Sequence, residues 1–352
     1  MYPKKILFFS CEPGGAEVLI PVIDLLRNEE EYDVKVLSYG QGAVTLGKHG
    51  ILFEHINKVT SGDETIINDY EPDVIITSAS SFPLQDMSEK YLWQIARQKG
   101  IPCVAFLDVL QGYELRFSNG ANLTELTYFP DYINCINEMG KKDLVELGIN
   151  KERLITFGHP FQSYMKKNMN YNGSLLRRQH GYRDNDKILL FISQPIFEYY
   201  GETKGYTQYS VLEYFLSSIV KGSQEEKVII RLHPKDQRNK FLEIIEKSAH
   251  KNIELIQNEY SSIESIAMAD YVFGMSSTML TQAYILDKPV ISILLENKDE
   301  YFMTRFNYIY NIESFSDTYD YNSYDLYIKE KPLVHFEYHF DRNRFLEFLH
   351  EI

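Results

Sequence analysis

Short apolar runs of about four to six residues, rich in Ile, Val, Leu and Phe, alternate along most of the chain with longer segments whose apolar positions recur at helical spacing. This alternation predicts strands buried on both faces and joined by amphipathic helices, the pattern of parallel sheets crossed by helices. The first half carries predicted strands at 5–10, 33–38, 51–55, 73–77, 102–107 and 132–137, helices near 16–28, 88–99 and 139–147, and a closing strand at 153–157. Between 158 and 186 the strand-like runs stop and Asn, Tyr, Gly, Lys and Arg take over, as in a linker with a short helix. A second series then places strands at 187–192, 227–232, 252–256, 270–273 and 289–293, with helices near 208–220, 240–248, 262–267 and 279–286. Residues 297–331 are rich in Tyr, Asp and Asn with weak periodicity, and 341–352 returns to helical spacing through Phe345, Phe348, Leu349 and Ile352. The expected architecture is α/β: an N-terminal domain over 1–160, a linker over 161–186, a C-terminal domain over 187–335, and a terminal helix within 336–352 that crosses back to the first domain. A length of 352 residues suits two domains.

Composition narrows the partners. With 36 Lys and Arg against 50 Asp and Glu the net charge is −14, which argues against a nucleic-acid reader that neutralises many phosphates. Cys11, Cys103 and Cys135 are widely spaced and include no CxxC, so they read as reduced thiols of a cytoplasmic protein. The apolar run from Ile6 to Cys11 is too short for a signal-peptide core or a membrane span. A station at the inner face of a membrane leaves no such signal.

Three segments carry candidate chemistry. Ser10-Cys11-Glu12-Pro13-Gly14-Gly15 joins the first strand to the first helix; its glycines permit positive φ and close approach of a ligand, and the same residues also suit a plain tight turn. They do not form GxGxxG. Arg231-Leu232-His233-Pro234-Lys235 ends a buried strand, where open α/β sheets place ligand contacts; His233 donates to a phosphate oxygen there, or simply ends a loop. Gly274-Met275-Ser276-Ser277-Thr278 leads from a strand into a helix with three hydroxyls, which serve as N-caps or complete an anion site with the helix N-terminus. No HExxH or EF-hand pattern occurs, so neither metal nor cofactor is expected. His55, His159, His180, His250, His335, His339 and His350 share no ligand spacing and read as surface or loop histidines.

The His-Pro pair, the G-x-S-S-T turn and Leu286-Asp287-Lys288-Pro289-Val290-Ile291 together resemble the donor domain of GT-B-fold nucleotide-sugar enzymes. Phe157-Gly158-His159-Pro160 is similar to the segment before their inter-domain linker, and Phe191-Ile192-Ser193-Gln194-Pro195 to their first donor-domain strand and loop. The resemblance covers about residues 4–294. It implies two Rossmann-like α/β/α domains facing across a cleft. His-Pro plus Ser-Ser ranks the bacterial capsule and cell-surface glycosyltransferases first (sialyltransferase-, Kdo-transferase- or CDP-glycerol-transferase-like) and the UDP-N-acetylglucosamine 2-epimerase group second. Thr281-Gln282 stands where many relatives hold the ribose with a carboxylate, and where the epimerase group carries an acidic Q-E-E run. That departure also leaves room for a catalytically inactive binding protein.

The resemblance implies a metal-independent, inverting glycosyltransferase. Its substrates would be a CMP-, CDP- or UDP-linked sugar and a glycan or lipid-linked acceptor, with peripheral membrane or polysaccharide-assembly association left open. Asp108, at the end of the strand 102–107, is the expected base, with His233 stabilising the leaving phosphate. Gln194, Arg231, His233, Pro234, Gly274, Ser276, Ser277 and Thr278 would hold the nucleotide. Glu12, Gly14, Gly15 and Glu114 would form the acceptor loop, Glu12 and Glu114 standing in for Asp108 as base if needed.

Overall fold

The computed structural model describes residues 2–169, 171–223, 225–295, 301–317 and 319–352. Among the described residues, thirteen strands form two all-parallel sheets, one in each of two compact units, Met1–Lys167 with Glu337–Ile352, and Asn168–Phe336.

In the first unit the strands are β1 (Lys4–Ser10), β2 (Tyr32–Ser38), β3 (Glu54–His55), β4 (Val74–Ser78), β5 (Cys103–Phe106), β6 (Tyr132–Cys135) and β7 (Leu154–Thr156), in the order β3-β2-β1-β4-β5-β6-β7. The chain lays β2 and β3 to one side of β1 and then restarts on the other side with β4. The switch point therefore lies between β1 and β4, where open α/β sheets form their ligand crevice. Register keeps the strand ends level, with Ser10 opposite Ser38 and Phe9 opposite Thr77. Ile6, Leu7, Phe8 and Phe9 are all fully buried because helices cover both faces.

One of those covers comes from far along the sequence. The helix Arg342–Glu351 is N-capped by Asp341 and lays Phe345 and Leu349 into the core, with the Phe345 ring edge-on to Phe106 at 5.7 Å and to Phe157 at 5.5 Å. Its entry depends on Gly158, whose φ of +96° and contact with the His339 carbonyl leave no space for a Cβ.

The second unit repeats the plan with β8 (Lys187–Ile192), β9 (Glu226–Arg231), β10 (Ile253–Ile256), β11 (Tyr271–Gly274), β12 (Val290–Ile293) and β13 (Tyr310–Ile312), ordered β10-β9-β8-β11-β12-β13. Its switch point lies between β8 and β11. Ile192 pairs with both Arg231 and Gly274, so the loops after β8, β9 and β11 start at one level.

Several expectations change. The strand expected at 51–55 contracts to Glu54–His55, because Ile51 turns into the core instead of extending the ladder. Where a linker with one short helix is expected there are two helices, Pro160–Asn168, burying Phe161 and Met165, and Gly173–Gln179, capped by Asn172. The helix expected over 208–220 is α-helical through Tyr214 and then opens into a π-helical turn, Phe215–Ile219. The short helices Gly40–Lys48, Thr65–Tyr70, Tyr113–Phe117 and Ile196–Tyr200, and edge strand β13, were not foreseen. Of the irregular tail, residues 297–300 and 318 lie outside the described residues.

Truncating Phe345 to Ala leaves a cavity between Phe106 and Phe157 and should cost about 3–5 kcal/mol. A lowered urea midpoint, with hydrogen exchange accelerated in β5 to β7 and unchanged in β8 to β12, is the expected result.

Candidate functional site

Each unit gathers its polar candidates at its own switch point. In the second unit the crevice between β8 and β11 is bridged by Gln194, whose carbonyl oxygen accepts the Ser276 backbone N–H at 2.6 Å and whose amide nitrogen lies 3.3 Å from the Ser276 hydroxyl. Ser277 is the N-cap of the helix Thr278–Ile285 and accepts the Met279 N–H at 3.2 Å. The three hydroxyls thus divide: one tied to Gln194, one capping, and Thr278 exposed in the first helical turn. Gly274 has ordinary φ; its missing side chain instead lets β11 lie against the Ile192 carbonyl.

His233 follows β9 in a turn held by its own N–H to Asp236 at 2.7 Å. Its Nδ1 accepts the Lys235 N–H at 3.2 Å, so the ring proton sits on Nε2 and that nitrogen is a donor. Burial and nearby Lys235 hold the imidazole below its usual pKa. Arg231, expected at the phosphates, instead donates to the Tyr260 carbonyl at 2.8 Å and lies 3.3 Å from the Ser265 hydroxyl, because its side chain leaves β9 toward the loop after β10. Lys235 is the cation beside His233, its ammonium on the Tyr199 hydroxyl at 2.7 Å. Pro234 stiffens the same turn.

A residue absent from the sequence reading supports this crevice from below. Tyr301 is buried, and its hydroxyl reaches both the Thr281 hydroxyl at 2.7 Å and the Ser277 carbonyl at 3.0 Å. Thr281 therefore faces inward, away from any ligand.

In the first unit the crevice between β1 and β4 collects carboxylates. Glu12 precedes the helix Pro13–Arg27 without capping it by its side chain, and burial together with Asp86 and Asp108 raises its pKa. Asp108 is ion-paired to the buried Arg116 at 2.9 Å, and Arg116 also donates to the Ala79 carbonyl. Gly14 and Gly15 have ordinary φ, so neither uses the positive φ that glycine permits. Both sit in close quarters: a Cβ on Gly14 would press on the Asp108 carboxylate, which would have to turn, and one on Gly15 would strike the Ser78 side chain down to its Cβ. Glu114 sits in the first turn of the helix Tyr113–Phe117 and makes none of these contacts.

Three further carriers escaped the sequence reading. Glu89 is fully buried and accepts from the Ser78 hydroxyl and the Ser80 N–H; desolvation pushes its pKa up to about 7. Glu17, half-buried near Asp108, is likewise raised to about 7 by desolvation and by that neighbouring charge. His159 is no surface residue: its Nε2 donates to the Asp108 carbonyl at 3.0 Å and its Nδ1 accepts the Gln162 N–H at 3.2 Å. His159 and Glu17 meet Asp108 from far along the sequence, so no motif links them; Arg116, eight residues after Asp108, is the one local hint. Among the described residues no group of three or more His, Cys, Asp or Glu is placed to hold a metal ion, and no helix is long and apolar enough to cross a membrane.

No family model matches the chain, and a search of curated proteins gives no match. Solved structures do match. The UDP-GlcNAc 2-epimerase of Methanocaldococcus jannaschii superposes with a TM-score of 0.66 at 13% identity, covering 99% of this chain and 100% of that one. The enzyme of the same name from Neisseria meningitidis, bound to UDP-GlcNAc, gives 0.63 at 16%, covering 93% and 92%. HepE of Anabaena, in complex with UDP-glucose, gives 0.58 at 14%, covering 93% and 90%. These likenesses show the fold. Two of these three neighbours carry the name of the epimerase group that the motifs rank second.

Burial lowers the pKa of His159 to about 4, so the unfolded chain binds its proton first as pH falls. The stability contributed by neutral His159 is complete above about pH 6.5 and is lost toward pH 4, a difference of about 3 kcal/mol. His159→Asn keeps a helix cap but has no such proton to bind. Between pH 7 and pH 4 the wild type should lose about that much more unfolding free energy than the variant, measured by urea titration at each pH.

Proposed function

We propose that this chain is an enzyme acting on a UDP-linked sugar, with chemistry at the sugar ring of the UDP-GlcNAc 2-epimerase kind. The observation that carries the reading is the backbone likeness to that group over 99% of the chain. The contents of the two switch points support it. In the second unit the Ser276–Thr278 turn, the helix behind it and the Nε2–H of His233 form a diphosphate half-site. Inverting a ring carbon requires a base on one face and an acid on the other. The first unit supplies carboxyl groups in contrasting settings for those roles: Asp108 paired with Arg116, and Glu12 and Glu17 held toward the protonated form by burial.

A second reading, transfer of the sugar to a glycan or lipid-linked acceptor, is favoured by one specific observation. Thr281 and Gln282 stand where the epimerase group carries acidic residues, and Thr281 is committed to Tyr301. In that case Asp108 would accept the acceptor's hydroxyl proton as UDP leaves.

UDP-GlcNAc followed by proton NMR in D2O separates the two. A second UDP-sugar diastereomer carrying deuterium at C2 supports the epimerase reading; UDP released only with an added acceptor supports the transferase. If UDP, UDP-GlcNAc and UDP-glucose all leave the melting temperature unchanged, both fall. Within either chemistry, Asp108→Asn should slow turnover roughly 10²–10⁴-fold with little change in UDP affinity. By contrast, His233→Ala and the double variant Ser276→Ala/Ser277→Ala should weaken UDP binding, as read by calorimetry.

A further inference from the structure

At the end of the second sheet opposite its switch point, three loops leave a cavity of about 460 Å³ lined by Arg183, Gly222, Glu226, Lys227, His250 and Lys251, among others. The loops lead into β8, β9 and β10, so the cavity sits at the amino ends of strands whose carboxyl ends carry Gln194 and His233. Six-residue strands separate the two places by roughly 20 Å.

Charge singles out this cavity. The chain as a whole is strongly acidic, yet the lining holds three permanent cations against one carboxylate. That carboxylate is already engaged: Glu226 accepts the N–H groups of Lys221 at 3.2 Å and Ser223 at 2.9 Å, and the Tyr321 hydroxyl. The guanidinium of Arg183 and the ammonium of Lys251 make no hydrogen bond or ion pair among the described residues. The wall is also built. The His250 ring is fixed by its Nε2 donating to the Leu216 carbonyl at 2.7 Å. Gly222, at φ +73°, lies so close to that ring that a Cβ would collide with it.

We propose that this cavity is a second ligand site, independent of the nucleotide-sugar half-site, which binds a small phosphorylated molecule. Two unneutralised cations, one a planar guanidinium, match a phosphate dianion better than a single carboxylate. A volume of about 460 Å³ admits a body of about sugar size beside the phosphate. A site this far from the crevice affects turnover only through the sheet between them.

Thermal melting of the whole chain tests the site with glucose 6-phosphate, UMP, inorganic phosphate and, as neutral control, glucose. Glucose 6-phosphate or UMP should raise the melting temperature by ~2 °C or more at saturating concentration, and glucose should not. The double variant Arg183→Gln/Lys251→Gln alters two exposed side chains; it should melt like the wild type without ligand and lose that rise while keeping the response to UDP. Each single variant should lose part of it. No rise with any phosphorylated probe overturns the proposal, as does an equal rise in the double variant. A rise that survives there but vanishes in Ser276→Ala/Ser277→Ala also overturns it, by placing the ligand at the switch point. A missing UDP response with an intact glucose 6-phosphate response would instead sink the reading of the nucleotide half-site and leave this one standing.

Discussion

The carboxylate of Asp108 occupies the volume that a side chain at residue 14 would need, and the first unit's crevice is organised around that exclusion. Because residues 14 and 15 are glycine, the amino end of the helix Pro13–Arg27 can close onto β4 and β5, bringing its unpaired N–H groups and partial positive charge toward an acid. Arg116 then anchors the carboxylate from one side while His159 fixes the same residue's backbone from the other. A second carboxyl, Glu89, binds the loop that Arg116 also grips. Removing any one of these leaves a buried polar partner unmatched, which is costlier than the contact itself is favourable.

The second unit solves a related problem with neutral groups. Its crevice is closed by an amide, two serine hydroxyls and a tyrosine, with positive charge confined to the rim at Lys235. The two crevices therefore differ in what they tolerate: carboxyl groups whose protonation is finely balanced in one, donors without net charge in the other. The proposed division of roles, an anionic ligand group at the second and proton transfer at the first, rests on that contrast.

Much of this was legible in sequence where information is local. Lys187–Ile192 was read to the residue because a fully buried parallel strand is a plain apolar run between polar ends. The hydroxyl turn and the His-Pro turn were visible for the same reason. What stayed hidden depends on contacts across the fold. His159 looked like a loop residue because its burial follows from Asp108, 51 positions earlier. Arg231 looked like a phosphate ligand because nothing local says that a side chain leaving β9 will find Tyr260. Gly14 and Gly15 stand out in sequence for torsional freedom and for close approach; only the second is used, by Asp108 and Ser78 of the chain itself. The short helices carried too few apolar residues to show a period.

The first unit is also discontinuous: its sheet is complete by Thr156, yet Phe345 and Leu349 cover one face only after some 170 intervening residues that build the second unit. On a ribosome adding roughly 5–20 residues per second, the earlier unit waits many seconds with Phe106 and Phe157 uncovered while the later one finishes. The half that is translated first is thus the half that matures last. During that interval its bare aromatic face is a target for chaperones, or for another nascent chain.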